Sequence, residues 1–397
     1  MIIKIGIVSP IDIMAVNKIR PLKLIKGKVV PQGLGATFLT CVIDELILRG
    51  HQVIIFTLDK EVKEETVLLG ENIKIYVNHY RERKRALNFF KTEINLLKKM
   101  IRKEKVDVLH AHWTYEFSIA ALSADRRTLV TAHDSPFKVL KYMPSTYRFV
   151  RLLMAYYALH KTQRLTVVSN DTANHLQKFK FYNDKKIEVI PNPILIRPEL
   201  LPATQKDGGE NVIFASVMNG TGKLKNPVVL LKAFQKLRLK FKNVKLIMIG
   251  EGYENLGIMH KWSKENNCDI GVQFKGQLIQ EELIQYLQER VDVLVHPSKE
   301  ESFSLIIAEA MSLGIPIIGG KNSGAVPYTM GDGVAGILVD IKSVNEISEA
   351  MEKLLNSSLR IKIGIEGHKF ARQNYSLETV ANSYEQLYKE IYSVNRG

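Results

Sequence analysis

"NVIFASVMNGTGKLKNPVVLLKAFQKLRLKFKNVKLIMIG", residues 211–250, reads as strand, loop, helix and strand in succession. The apolar run NVIFASV gives way to the polar loop MNGTGKLKN, then to the helix PVVLLKAFQKLRLKF and the apolar run VKLIMIG. Pro227 suits the first turn of the helix, where its missing N–H costs nothing. Both strands are continuous Val/Ile/Leu runs rather than alternating ones, the pattern of parallel sheet covered on both faces.

The same unit opens the chain. IIKIGIVSP (2–10) is followed by a long loop ending PQGLGA, a helix TFLTCVIDELILRG and a strand HQVIIFTL. Apolar runs continue the alternation in each half: VDVLHAH, RTLVTAH and RLTVVS first, then VDVLVHP, IPIIGG and GILVD. The pattern predicts an α/β protein built from two Rossmann-like, doubly wound parallel sheets whose carboxyl edges face across a deep cleft. Between them PNPILIRPELLPATQKDGGE holds four prolines and two adjacent glycines and reads as a join. The expected organisation is a domain over 1–195, a linker over 196–210 and a second domain over 211–375. A helix over 376–397 would close the chain by packing back toward the first domain.

At 397 residues the length agrees with two domains, since single cores stop growing near ~250–300 residues. No apolar run reaches the ~18–20 residues needed to span a bilayer. MIIKIGIVSP enters strand-like sequence directly, without a signal-peptide pattern. Cys41 and Cys268 are the only cysteines, which suggests neither a disulfide framework nor a zinc site. A cytoplasmic location fits. The formal charge is +15, and residues 81–105, RERKRALNFFKTEINLLKKMIRKEK, carry ten Lys or Arg against three Glu. Phe90, Ile94, Leu97 and Ile101 recur at helical spacing, so this stretch reads as one basic amphipathic helix. It is either a solvated outer face or a patch attracted to an anionic surface, lipid headgroups or a pyrophosphate-linked acceptor, with peripheral membrane association as the outcome. Nucleic acid is not expected, because aromatic platforms for bases are missing.

The chemistry-bearing residues gather in VDVLVHPSKEESFSLIIAEAMSL (291–313). A strand runs through a loop into a helix, placing helix N-terminal N–H groups at the ligand-facing end of the sheet, where they attract phosphate. Glu309 falls about one and a half turns into that helix among residues that read as buried. A carboxylate there needs a partner; vicinal sugar hydroxyls would serve, or a lysine such as Lys321. Glu301, in the loop, could take a second set of hydroxyls. Lys223 and Lys225, in the loop after the 211–217 strand, are placed as point charges for a diphosphate. In the first half, Gly33 and Gly35 of PQGLGAT allow close approach of backbone to an anion. His133 follows a strand directly and could hydrogen-bond substrate or exchange protons. His110 and His112 share one side of the preceding strand; no third zinc ligand has sensible spacing, so no metal is expected.

These motifs resemble the retaining glycosyltransferases of family four, the glycosyl transferases group 1, with the GT-B fold. Glu301 and Glu309 match the family's E-x7-E, and Lys225–Asn226 its KN or KG pair. GEG at 250–252, GQL at 276–278 and GDGVAGILVD at 331–340 follow the same course, as do GLGAT, RGHQV, TAHD and IPNP in the first half. The resemblance implies that Glu309 holds the ribose of a nucleoside-diphosphate sugar and Glu301 the transferred sugar. It implies that the backbone N–H groups of Phe303, Ser304 and Leu305 meet sugar and phosphate oxygens, and that Lys225 stabilises the departing diphosphate. His133 would lie beside the donor sugar, with the segment around Gly276 and Leu278 near the base. The implied catalytic set is His133, Glu301 and Lys225, without an obligatory metal or other cofactor. The implied acceptor is a glycan or lipid-linked molecule of cell-surface polysaccharide or glycolipid synthesis. The chain departs from the family at Ser302 and Ser304, where glycine is common, and at Asn219, where an arginine is common. Two other readings compete: a nucleotide-sugar 2-epimerase of similar architecture, and a non-catalytic sugar-nucleotide-binding subunit.

Overall fold

The computed structural model of the protein describes residues 1–182, 186–195 and 211–396. They divide into two compact units, Met1–Pro193 with Leu377–Gly397, and Ile194–Ser376. The stretch 196–210, read above as a linker, lies outside the described residues.

The first unit runs β1 (Lys4–Val8), α1 (Ile13–Ile19), β2 (Lys23–Lys26), α2 (Thr37–Leu48), β3 (Gln52–Asp59), β4 (Thr66–Gly70) and β5 (Ile73–His79). It continues with α3 (Lys91–Ile101), β6 (Val108–His112), α4 (Glu116–Ala124), β7 (Leu129–Ala132) and α5 (Pro136–Tyr142), then α6 (Thr146–Lys161), β8 (Arg164–Val167), α7 (Asn170–Lys178) and β9 (Ile187–Val189). Among the described residues the sheet order is β2-β4-β5-β3-β1-β6-β7-β8-β9. Pairing is parallel from β5 to β9 and antiparallel where β4 and β2 extend one edge. Strands β1 and β6 are buried on both faces, as parallel strands covered by helices are; β6 carries two buried histidines, His110 and His112, among its apolar residues.

Two stretches differ from the sequence reading. The long loop after β1 contains a helix and an edge strand. Asp12 caps α1 by accepting a 2.9 Å hydrogen bond from Ala15 N–H, Ile13 and Val16 bury its inner side, and Lys23–Lys26 pairs antiparallel with β4. Residues 81–105 are not one helix. Phe89 and Phe90 sit at φ of 50° and 57°, left-handed values that interrupt a helix, so a 3-10 turn at Ala86–Asn88 is set off from α3. Two basic positions of this stretch are also engaged locally. Arg81 grips the buried Glu93 through Nε and Nη2, each at 2.8 Å, and Arg85 lies over the Tyr80 ring.

The second unit runs β10 (Val212–Val217), α8 (Pro227–Lys240), β11 (Val244–Ile249), α9 (Ile258–Glu265), β12 (Val272–Gly276), α10 (Gln280–Arg290) and β13 (Val293–His296). It continues with α11 (Leu305–Ser312), β14 (Ile317–Gly320), α12 (Val326–Thr329), β15 (Gly336–Val339), α13 (Val344–Lys353) and α14 (Ser357–Tyr375). Its described strands are all parallel in the order β12-β11-β10-β13-β14-β15. That order reverses between β10 and β13, so the loops leaving those two strands flank the switch point where open α/β sheets bind ligands.

The final helix, α15 (Leu377–Arg396), belongs to the first unit. Val380, Tyr384, Leu387, Tyr388 and Ile391 join the core around Ile3 and Ile5. Arg49, at the end of α2, donates to Glu385 at 2.9 Å. No helix among the described residues is long and apolar enough to cross a membrane.

Candidate active site

The two switch-point loops of the second unit are stitched together. Lys299 N–H donates to Leu224 C=O at 2.8 Å, which holds the β13–α11 loop against GTGKLKN. Across that stitch the Lys225 ammonium donates to Glu301 Oε1 at 2.7 Å. His296, the last residue of β13, approaches the same oxygen with Nε2 at 3.2 Å. Burial by itself would raise the Glu301 carboxyl; the His296 hydrogen bond and the Lys225 charge outweigh it and hold the group at about 2. His296 is buried, and its other nitrogen, Nδ1, has no partner among the described residues. The backbone of Glu301 is fixed as well: Ala325 N–H donates to its carbonyl at 2.8 Å. Gly324 allows this close approach, because a Cβ there would sit 2.5 Å from that carbonyl.

Each flanking helix starts from a residue in the left-handed region. Asn226 precedes α8 at φ 58° and Ser304 precedes α11 at φ 72°, and neither side chain caps its helix. The first-turn N–H groups therefore keep their donor capacity for something else. Asn226 instead donates from Nδ2 to Ile341 C=O at 2.7 Å. The geometry explains why asparagine or glycine suits the place after the lysine: both tolerate positive φ. Ser304 pays a strain that a glycine would avoid, and its buried Oγ is unpartnered among the described residues. Phe303 is buried edge-on to Tyr375, with ring centroids 5.1 Å apart.

Glu309, inside α11, accepts a 2.6 Å hydrogen bond from Gln280 Nε2 at the start of α10. Burial lifts its carboxyl to about 7 against that hydrogen bond. Lys321, considered above as a partner for these glutamates, pairs instead with Glu346 at 3.1 Å. Lys225, Glu301 and His296 thus form one contact set, and Glu309 forms a separate one with Gln280. Asn219 and Lys223 are exposed on the loop after β10. Gly276 ends β12 at φ 75° and donates to Tyr253 C=O at 2.8 Å, while Leu278 follows half-buried.

In the first unit, His133 follows β7 and lies against Phe38 of α2 and Trp113, with centroids 5.3 and 4.5 Å away. Its Nε2 is 2.9 Å from His112 Nδ1. Burial drives His133 down to about 3, opposed by Asn192, so it is a neutral hydrogen-bonding group at physiological pH, and its Nδ1 is unpartnered among the described residues. The His110 and His112 rings lie tilted to one another, with centroids 4.0 Å apart. His110 is satisfied at both nitrogens, by Tyr388 and Thr131, each at 2.7 Å. Among the described residues no three His, Cys, Asp or Glu side chains stand together as a metal site would need. Gly33 serves the fold: its N–H donates to Asp59 Oδ2 at 2.6 Å, and a Cβ would strike Ile11 C=O. Gly35, at φ 85° with open space before it, is the glycine left free to meet a ligand.

Sequence reasoning missed His296 and Gln280. His296 ends a strand at the ligand-facing edge just as His133 does, so the same signal would have found it. Gln280 carried no signal, since its role depends on the approach of α10 to α11.

The sequence matches the family model for Glycosyl transferases group 1 over residues 197–371 and that for Glycosyltransferase Family 4 over 35–196. This chain is a glycosyltransferase of group 1. Over 365 residues it is 22% identical to the N-acetyl-alpha-D-glucosaminyl L-malate synthase of Bacillus anthracis, covering 87% of this chain and 91% of that one. Its fold matches the sucrose-phosphate synthase of Thermosynechococcus elongatus with a TM-score of 0.75 at 16% identity, covering 98% and 99% of the two chains. It also matches Anabaena HepE in complex with UDP, with a TM-score of 0.66 at 15% identity over 98% and 100%. The glycosyltransferase has the Rossmann-like parallel-sheet units of the GT-B fold, and the epimerase and non-catalytic readings are set aside.

Proposed function

We propose that the glycosyltransferase moves a sugar, with retention of anomeric configuration, from a nucleoside-diphosphate sugar to a hydroxyl of a glycan or lipid-linked acceptor. The observation that carries the reading is the Lys225–Glu301–His296 set beside the uncapped start of α11. A departing diphosphate gains negative charge as the glycosidic bond breaks. A lysine and free helix N–H groups, fixed beforehand, stabilise that charge without reorganising. Glu301, held at about 2, stays ionised and accepts hydrogen bonds from sugar hydroxyls. The Lys225 ammonium and the His296 hydrogen bond on one of its oxygens make it a poor nucleophile, which favours same-face attack by the acceptor over a covalent intermediate. Glu309 takes the ribose hydroxyls, exchanging Gln280 for them. His133, neutral, hydrogen-bonds the donor sugar, and Gly35 lets backbone approach it. No metal is required in this scheme, because Lys225 and the α11 N–H groups answer the diphosphate charge. The work is placed in the cytoplasm, at the inner face of a membrane where cell-surface polysaccharide or glycolipid is assembled.

The test pairs donor screening with product stereochemistry. UDP-sugars come first, since the solved neighbour HepE holds UDP. NMR of the product should show the donor's anomeric configuration, and Lys225→Ala should lower the turnover rate by about 10²-fold or more. An inverted product, or Lys225→Ala and Glu301→Ala enzymes as fast as wild type, would overturn the assignment.

A further inference from the structure

A surface helix of a soluble protein buries one apolar stripe and turns polar residues outward. Helix α3 obeys the rule: Leu97, Met100 and Ile101 are buried, and Lys91, Asn95 and Lys99 face solvent. Its exposed basic residues lie opposite that stripe. Helix α6 breaks the rule. Met154, Ala155, Ala158 and Leu159 are buried, yet Phe149, Leu153, Tyr156 and Tyr157 on the other side are each 44–52% exposed. Their spacing of four, seven and eight residues places them within about 100° of arc. Apolar side chains are also exposed on elements that pack against α6. Phe137 of α5 and Met143 after it are exposed, and so are Leu87 and Phe89 beside the 3-10 turn that packs against α6.

The segment that carries this stripe is itself basic. From Ser135 to Lys161 the sequence contains five Lys or Arg and no Asp or Glu. Lys138 and Arg151 turn toward Asp171 and Glu116. Lys141 and Lys161 stay exposed, with Lys161 Nζ 4.4 Å over the Tyr157 ring. At the far end of α6 lies a pocket of about 470 Å³ whose lining includes Arg126, Tyr157, His160 and Lys161. Asp125, next to Arg126 in sequence, is engaged by Arg127 at 3.2 Å.

We propose that α6, with the apolar tip at Leu87 and Phe89, is the face by which the protein docks on an anionic bilayer, and that the pocket receives a lipid phosphate. Tyrosine and phenylalanine rings suit the headgroup boundary, and flanking Lys and Arg are drawn to anionic lipid. A second copy of the chain fits poorly, because a two-fold contact would press this basic face against itself. The proposal moves the membrane-facing surface from α3 to α6, and it does not depend on which sugar or nucleotide the enzyme uses.

The test is vesicle co-sedimentation of the full chain on phosphatidylcholine with and without phosphatidylglycerol. Binding should require the anionic lipid and weaken with salt. The triple variant Phe149→Ser, Leu153→Ser, Tyr157→Ser should lose about tenfold or more in vesicle affinity, and Arg126→Gln with Lys161→Gln several-fold. The α3 variant Lys98→Gln, Lys99→Gln should bind as wild type. Unchanged circular dichroism confirms that the variants fold; the exposed positions are chosen for that. The proposal falls if the triple variant sediments as wild type, if the α3 variant loses binding equally, or if lipid charge is immaterial. It also falls if wild type proves a dimer that the triple variant breaks, since a second copy then covers the stripe. The measurement uses no donor or acceptor, so a negative result leaves the transferase reading untouched, and the reverse holds.

Discussion

Replacing Glu309 by glutamine should stabilise the second unit at high pH and do nothing at low pH. The carboxyl is lifted to about 7 by burial, whereas a glutamate in an unfolded chain titrates near ~4.3. Between those values the folded state binds a proton that the unfolded state releases, so the group's stabilising contribution is complete below ~4.3 and is lost as pH rises through about 7. Each tenfold in proton affinity is worth about 1.4 kcal/mol. Glu309 keeps some solvent contact, which trims the full difference to roughly 2–3 kcal/mol. Glutamine is neutral throughout and can still accept the Gln280 hydrogen bond. The expected result in urea denaturation is a Glu309→Gln variant more stable than wild type by roughly 2–3 kcal/mol at pH 8.5 and equal to it at about pH 3.5. The same variant should bind nucleoside diphosphate about tenfold more weakly, because the ionised form is the better acceptor for two hydroxyls. A variant no more stable than wild type at pH 8.5, or stabilised equally at both pH values, would refute the reasoning.

Two further outcomes follow from single contacts. Asn226→Gly keeps the left-handed backbone and loses only the bond to Ile341, for about 1 kcal/mol. Asn226→Ala adds the left-handed penalty and should cost about 2–3 kcal/mol, a ranking that thermal unfolding would check and that equal losses would contradict. Tyr388→Phe removes the partner of His110 Nδ1 in a buried site and should cost about 1–3 kcal/mol of first-unit stability. A change under about 0.5 kcal/mol in urea titration would mean that α15 is held by its apolar face alone.

Much of this was legible in the residues. Continuous apolar strands separated by helices gave both sheets, and the E-x7-E spacing with the loop lysine located the set that the fold brings together at Glu301 and Lys225. What escaped the reading depended on contacts distant in sequence. Lys23–Lys26 is a strand only because β4 lies beside it, and Lys321 left Glu309 for Glu346 because the turn after β14 meets the start of α13. The break at Phe89 and Phe90 was hidden by apolar residues that kept helical spacing on both sides of it. Helix α6 was silent for the opposite reason: apolar residues on two faces blur the period that marks an amphipathic helix. Two glycines of one loop, Gly33 and Gly35, read alike and serve differently, since only structure shows which one has Ile11 against it.

The chain enters the second unit at Ile194 and leaves at Ser376, and these two residues are bridged side by side, with Ile194 N–H donating to Tyr375 C=O at 2.8 Å. The second unit is therefore topologically an insert within the first. On the ribosome, all of that insert emerges before α15 does. The second unit can close while the face of the first sheet bearing His110 is still bare, and the unit begun first is the one completed last.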